Sequence, residues 1–427
     1  MNKIVILGAG ISGLGAAYEL KDYNPIVLEK ERYYGGLCNS FEINDFIFDR
    51  AIHLSFTKKE KVRNIFDKTP YFSHNPNPHN FYNNLWLKHP VQFNLFKLSP
   101  ELKTKAIKSF INTSDSIEDP KNYKEWLYNQ YGHYIANKFP LKYTKKYWAT
   151  DADKLSINWI GNRMKKVDIE DVLLGSFTEG TGNNYYADEM RYPQNNGYMN
   201  FLEPLRKGTN IEFNKKITQI DTKRKVLTIN KKEKVEYDQL ISSIPITEMV
   251  ELVKDIPDEI KSDGRELNYT SIILVSIGFD CEDIYDYLWY YIYDEDILAS
   301  RIHSPSIKSI NNAPDGFSSI QMEIYFNEKQ PQFSLKKEDI EENIYYSLKK
   351  LGYPIEAIKF IDIRTQKYGN VIFDQGMEKK RDKVKNYLEN EDIKLIGRFG
   401  EWGYLWSDQS LMSGIRTAKS LKDDFFF

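Results

Sequence analysis

Three glycines at fixed spacing near the amino terminus constrain this chain more than anything that follows them. The order runs Lys3-Ile-Val-Ile-Leu7, then Gly8-Ala-Gly10-Ile-Ser12-Gly13, then Gly15-Ala-Ala-Tyr-Glu-Leu20, and finally Pro25-Ile-Val-Leu28 ending in Glu29. An apolar run, a glycine turn, a helical stretch and a second apolar run closed by an acid spell strand, turn, helix, strand. In such a unit Gly8 permits the tight turn, Gly10 lets the backbone approach a pyrophosphate, and Gly13 lets the helix pack on the strand. The first helical turn, which holds Ser12, aims its N–H groups and its dipole at the anion. Glu29 stands 21 positions after Gly8, where a carboxylate at the end of the second strand accepts both ribose hydroxyls. The same four glycines, Gly15 included, weaken the stretch as an apolar helix, and no small-residue cleavage site follows. It reads as part of the fold and not as a leader.

Composition narrows the function classes without naming one. Fifty-nine Lys and Arg against 61 Asp and Glu leave a formal charge of −2 over 427 residues. No overall basic field exists to hold nucleic acid or an anionic membrane. No stretch approaches the ~18 apolar residues of a spanning helix. Cys38 and Cys281 stand in unrelated contexts, so neither a disulfide framework nor a metal centre is expected, and a reducing cytoplasm fits best.

A second glycine pair decides between dinucleotides. Glu29-Lys30-Glu-Arg32 leads into Gly35-Gly36-Leu37 and on to Phe48-Asp49-Arg50-Ala51-Ile52-His53. This resembles the extended motif of the FAD proteins that include amine oxidases, protoporphyrinogen oxidases and UDP-galactopyranose mutases. The resemblance implies FAD, held by Gly8, Gly10, Ser12, Gly13, Glu29, Lys30, Gly35, Gly36 and Leu37, with His53 against the flavin ring.

The rest of the chain reads as α/β: a Rossmann-like domain built from discontinuous segments, an inserted helical domain, and a substrate domain with a mixed β-sheet. Residues 1–75, 191–245 and 393–427 are assigned to the first, 76–190 to the helical insertion, and 246–392 to the mixed sheet. The insertion rests on three- and four-residue apolar steps at Leu102, Ala106, Phe110 and at Tyr123, Trp126, Leu127, Tyr131. Strands are expected at Ser271–Phe279, Tyr287–Tyr293, Leu298–His303 and Ser318–Phe326, where β-branched and aromatic residues gather. Ile393–Ile396 reads as a strand running into Gly397–Gly400, and Asp408 as the N-cap of a final helix.

Four later segments resemble UDP-galactopyranose mutase in particular: Arg191-Tyr-Pro193 with Gly197, Trp289-Tyr-Tyr291 with Arg301, Gly397-Arg398-Phe-Gly400, and Trp402-Gly-Tyr404 followed by Asp408-Gln409. The resemblance implies that Arg191 and Arg301 grip a nucleotide diphosphate and act with His53 in catalysis. It implies further that Tyr291, Tyr368, Tyr404 and Asp408 meet the substrate, and that Gly397, Arg398 and Gln409 meet the flavin. The implied reaction interconverts pyranose and furanose forms of a UDP-sugar or related nucleotide sugar through an adduct at flavin N5. It serves cell-surface glycan synthesis, with reduced FAD as the active form and NAD(P)H as a candidate reductant. Paired guanidinium groups suit the roughly two negative charges of a diphosphate. The chain departs from the mutase pattern at Asn195-Asn196-Gly197, where paired glycines are usual, and at Asp408, where the family has asparagine. An oxidoreductase of the amine oxidase or protoporphyrinogen oxidase type, and a flavin-binding scaffold for a glycosyltransferase, stay open, as does assembly into a homo-oligomer.

Overall fold

The computed structural model describes residues 3–115, 118–161, 164, 168–182, 187–330 and 336–424. The strand Ile4–Leu7 is buried at every position and sits in the middle of a five-stranded parallel sheet. The order is Ile393–Leu395, Gln239–Ser242, Ile4–Leu7, Ile26–Leu28, Asn210–Glu212. Val5 and Leu7 pack with Leu240, Ile246 and Met249 on one face, while Ile4 and Ile6 pack with Leu14, Leu411 and Ile415 on the other. Both faces are covered, which is why Ile4–Leu7 and Ile26–Leu28 read as unbroken apolar runs rather than as alternation.

The last helix, Ser407–Asp424, lies against the first, Ile11–Glu19, at a crossing made of glycine. A Cβ at Gly414 would overlap the Ser12 carbonyl oxygen, and one at Gly15 would stand 2.8 Å from the Leu411 carbonyl oxygen. The two backbones therefore touch, and the end of the chain is locked onto the glycine turn at its beginning.

A second, seven-stranded sheet has the order Ile358–Gln366, Ser271–Phe279, Ser318–Phe326, Arg301–His303, Trp289–Ile292, His79–Tyr82, Leu85–Lys88. The helix Lys337–Leu351 covers one face with Ile340, Ile344 and Leu348. On the opposite face Ile272, Leu274 and Tyr325 pack with Ala51. Two strands of this sheet come from the start of the stretch assigned to the helical insertion. Asn83 (φ 47°) and Asn84 (φ 61°) turn His79–Tyr82 into Leu85–Lys88, a hairpin licensed by asparagine's tolerance of left-handed backbone. The strand Ile393–Leu395 runs into Gly397–Gly400 as expected, and those four residues form a helical turn.

The helices Pro100–Ile111, Tyr123–Lys138, Pro140–Trp148 and Ile169–Phe177 follow the hairpin. Pro140–Trp148 is tied to the mixed sheet by Lys146, whose Nζ donates to the carbonyls of Ile292 (2.9 Å) and Asp294 (3.0 Å). Among the described residues no helix is long and apolar enough to cross a membrane.

Candidate active site

The glycine turn is built for two different kinds of neighbour. Gly8 has φ +91°, and a Cβ there would overlap Ser243 Oγ; a Cβ at Gly13 would overlap the Gly8 carbonyl oxygen. Both positions are fixed by the protein itself. Gly10 is not: its φ is −70°, and a Cβ would meet nothing within 4 Å. Neither backbone conformation nor crowding among the described residues demands glycine there. Gly35 (φ +100°) docks on this turn, donating its N–H to the Ala9 carbonyl at 2.8 Å, and a Cβ at Gly36 would lie 3.5 Å from Gly10 Cα. Gly397 (φ +76°) closes on Ser12, whose Oγ fills the place a side chain at Gly397 would take. Glu29 is 8% exposed and accepts the Ala9 N–H at 2.7 Å and the Glu31 N–H at 2.9 Å. Burial raises its carboxyl above the ordinary 4.5, against the pull of those two donors. Lys30 is turned away, facing Glu248 across 3.9 Å in a half-exposed pair.

Beside this turn, where the helical insertion meets the mixed sheet, lies a cavity of about 720 Å³. Of the residues singled out in the sequence, Leu37, His53, Tyr291, Arg301, Arg398 and Tyr404 line it. His53 is held in one tautomer: Nδ1 donates to the Ala51 carbonyl at 2.9 Å, leaving Nε2 unprotonated at 3.8 Å from Cys38 Sγ, and the ring stacks on Tyr198. Burial lowers its pKa to about 4, so the imidazole facing the cavity is neutral near pH 7.

Arg301 sits on the strand Arg301–His303 and is anchored by Glu323, which is 0% exposed. Its Nε donates to Glu323 Oε2 at 2.7 Å, and Nη2 lies 2.6 Å from the same carboxylate. Burial alone would lower the guanidinium's pKa, but the Glu323 charge outweighs it and the net shift is upward. The other oxygen of Glu323 accepts the Ile52 N–H at 2.9 Å. One buried carboxylate thus joins the loop that carries His53 to the arginine of the opposite sheet.

Arg191 is placed differently from expectation. It is 1% exposed, donates to Asp67 Oδ1 at 3.0 Å and to the Thr57 carbonyl at 2.7 Å, and does not line the cavity. Removing a buried guanidinium from such partners costs about 3–5 kcal/mol, so it stays as a brace between Thr57 and Asp67. Tyr368 also misses the cavity, packing on Tyr269 and sharing a hydrogen bond with Thr247. Asp408 lies inside the first turn of its helix rather than at the cap, where it accepts from Thr57 Oγ1 at 3.0 Å and faces Lys59 at 3.6 Å. Gln409 caps the Trp406 N–H at 2.9 Å. The Asn-Asn-Gly departure is conformational: Asn196 adopts φ 61° and Gly197 φ 68°, a left-handed pair that asparagine tolerates in place of glycine.

The sequence reading missed much of the cavity wall. Tyr143, Tyr147 and Trp148 from one helix, Trp159 after it, and His89 and Asn370 all line the space. Tyr143 and Tyr147, four apart on the helix Pro140–Trp148, were the available signal, since that spacing puts both rings on one face.

A family profile described as an NAD(P)-binding Rossmann-like domain matches residues 6–69. Over the whole chain, a reduced UDP-galactopyranose mutase structure is similar, with a TM-score of 0.93, 23% identity, and 99% of this chain and 96% of that one covered. Wild-type putrescine oxidase bound to putrescine superposes with a TM-score of 0.69 at 14% identity, covering 99% of each chain. A CLA-producing fatty acid isomerase from P. acnes gives 0.66 at 14% identity, with 100% of this chain and 99% of that one covered. From the glycine turn to the last helix, the chain has the fold of UDP-galactopyranose mutase.

Proposed function

We propose that this protein is an FAD-dependent nucleotide-sugar mutase, interconverting pyranose and furanose forms of a sugar carried on UDP or a related diphosphate. The observation that carries the reading is the chemistry of the cavity wall. Among the described residues it presents two guanidinium groups, Arg301 and Arg398, many aromatic rings and no carboxylate. Such a wall takes an anion with a flat or apolar portion. It is unfavourable for the cationic amines of an amine oxidase, the second reading, to which the putrescine oxidase likeness lends only a shared fold.

The residues fit FAD. Gly10 leaves room for a pyrophosphate, Glu29 stands at the end of the second strand for a ribose, and neutral His53 lies between the glycine pair and the cavity. When bound and reduced, FAD supplies a nucleophilic ring nitrogen that takes the place of the nucleotide on the anomeric carbon and gives it back, with no net oxidation. The protein's part is positional. Arg301 holds the diphosphate in place while the sugar is detached from it, and Glu323 fixes the guanidinium plane. The aromatic wall excludes water that would hydrolyse an activated sugar.

The test is a screen of UDP-sugars, UDP-galactopyranose among them, with dithionite-reduced protein and chromatography of the products. Ring-contracted isomer should accumulate to equilibrium with no stoichiometric consumption of reductant. Peroxide released in step with product would instead identify an oxidase.

A further inference from the structure

Arg398 and Asn370 line the cavity, and each carries a side-chain donor with no partner among the described residues. Asn370 is 3% exposed. Its side-chain oxygen accepts from Arg398 Nη2 at 2.6 Å and from the Tyr147 hydroxyl at 3.4 Å. Because the atom facing two donors must be the oxygen, the other is the NH2 group, and that nitrogen is buried with no partner among the described residues. Arg398 Nε is buried and unpartnered as well. A buried donor left unmade costs about 1–3 kcal/mol, so two on hydrogen-bonded residues that line one cavity point to an acceptor that arrives from outside. The acceptor's charge follows from the ion pairs. Glu323 neutralises Arg301, whereas Arg398 has no carboxylate within salt-bridge distance among the described residues. Tyr147 joins the two centres, its ring 5.9 Å below the Arg301 guanidinium and its hydroxyl on Asn370.

We infer that Asn370 and Arg398 form an oxyanion-binding pair that takes one phosphate group of the substrate while Arg301 takes the other. This rests on the nucleotide-sugar reading. It transfers to Asn370 and Arg398 the second hold that the sequence reading gave to Arg191.

Asn370→Asp is the informative change. It is isosteric and keeps the acceptor for Arg398 and Tyr147, but replaces the free donor with a negative oxygen. Titrations of FAD-loaded protein with UDP, uridine and inorganic pyrophosphate, followed by flavin absorbance, give the readout. UDP and pyrophosphate affinity should fall by roughly 10- to 100-fold, while uridine affinity and flavin content hold steady. Asn370→Ala, which adds no charge, should weaken UDP in the same direction by a smaller factor. Unchanged UDP and pyrophosphate affinity in Asn370→Asp overturns the pair, as does an equal loss for uridine. Loss of flavin with UDP affinity intact would make the cofactor the acceptor, and also overturns it. Pyrophosphate separates this inference from the reading beneath it. Wild-type protein that binds pyrophosphate in an Asn370-dependent way but ignores UDP would keep the oxyanion pair and remove the nucleotide sugar. Wild-type protein that binds neither removes both.

Discussion

The glycine turn and the aromatic cavity lie side by side yet are specified in opposite ways. The turn is made of backbone. Gly8, Gly13 and Gly397 are set by contacts with Ser243, the Gly8 carbonyl and Ser12, and each contact leaves almost no freedom. The cavity is made of side chains from five or more separated segments, so its chemistry depends on which residues the fold brings together. A backbone site tolerates nearly any surrounding sequence but no change at its glycines. A side-chain site tolerates single changes by degrees.

The sharpest way to break this contrast is within the turn itself. Gly13→Ala puts a methyl group onto the Gly8 carbonyl oxygen and should prevent accumulation of folded protein. Gly10→Val, where a Cβ meets nothing, should fold but purify colourless, with flavin occupancy read by absorbance. A Gly10 variant with full flavin, or a Gly13 variant with normal stability, would end the distinction between glycines held by the chain and a glycine reserved for a ligand.

Acid should destabilise the protein through its buried histidines, two of which line the cavity. Burial lowers the pKa of His53 to about 4 and that of His89 to about 3, and holds His303 well below the ordinary 6.5. Because the folded-state values are depressed, the unfolded chain takes up protons first. The stability these groups contribute is complete above pH 6.5 and is lost as pH falls toward 4. Between pH 7 and pH 5 each buried histidine should remove on the order of 2 kcal/mol, measured as a falling urea midpoint. His303→Gln should lessen that slope. A midpoint flat from pH 7 to pH 5 would mean that these imidazoles are not neutral in the fold.

The smallest change sharpens the cavity side. Arg301→Ala would strand the buried Glu323 charge and confound binding with stability, so Arg301→Lys is the better probe. It keeps the counter-charge but loses the planar fork, and should weaken UDP about tenfold with flavin content unchanged. Wild-type affinity in that variant would leave Arg301 as a partner of Glu323 and nothing more.

This contrast also explains what could be read from the sequence. Gly8, Gly10, Gly13 and Glu29 were legible because a backbone requirement leaves a fixed spacing behind it. The strands Ser271–Phe279 and Ser318–Phe326 were legible because β-branched and aromatic residues gather where a strand is buried along nearly its whole length. Arg191 was misread because an arginine that braces a buried loop and one that grips phosphate look alike until their partners are known. Asn370 and Glu323 were invisible, since Glu323 acts through Arg301 on the neighbouring strand and Asn370 through Arg398, distant in sequence, and neither stands in a local pattern. Tyr368 drew attention one turn of backbone too early: the cavity is reached by Gly369 and Asn370.

The order of the five-stranded sheet carries a consequence for how the protein is made. The glycine turn is among the first parts of the chain to be synthesised, but the strand Ile393–Leu395 and the helix that locks onto Gly15 are among the last. At about 5–20 residues per second a ribosome leaves the turn exposed for on the order of tens of seconds before its cover exists. Until Gln239–Ser242 is made the apolar strand Ile4–Leu7 has a neighbour on one side only, and until the helix Ser407–Asp424 is made its Ile4 and Ile6 face lacks Leu411 and Ile415. An apolar strand left uncovered that long is prone to pairing elsewhere, and the glycine turn gains its cover only once Ser407–Asp424 has been made.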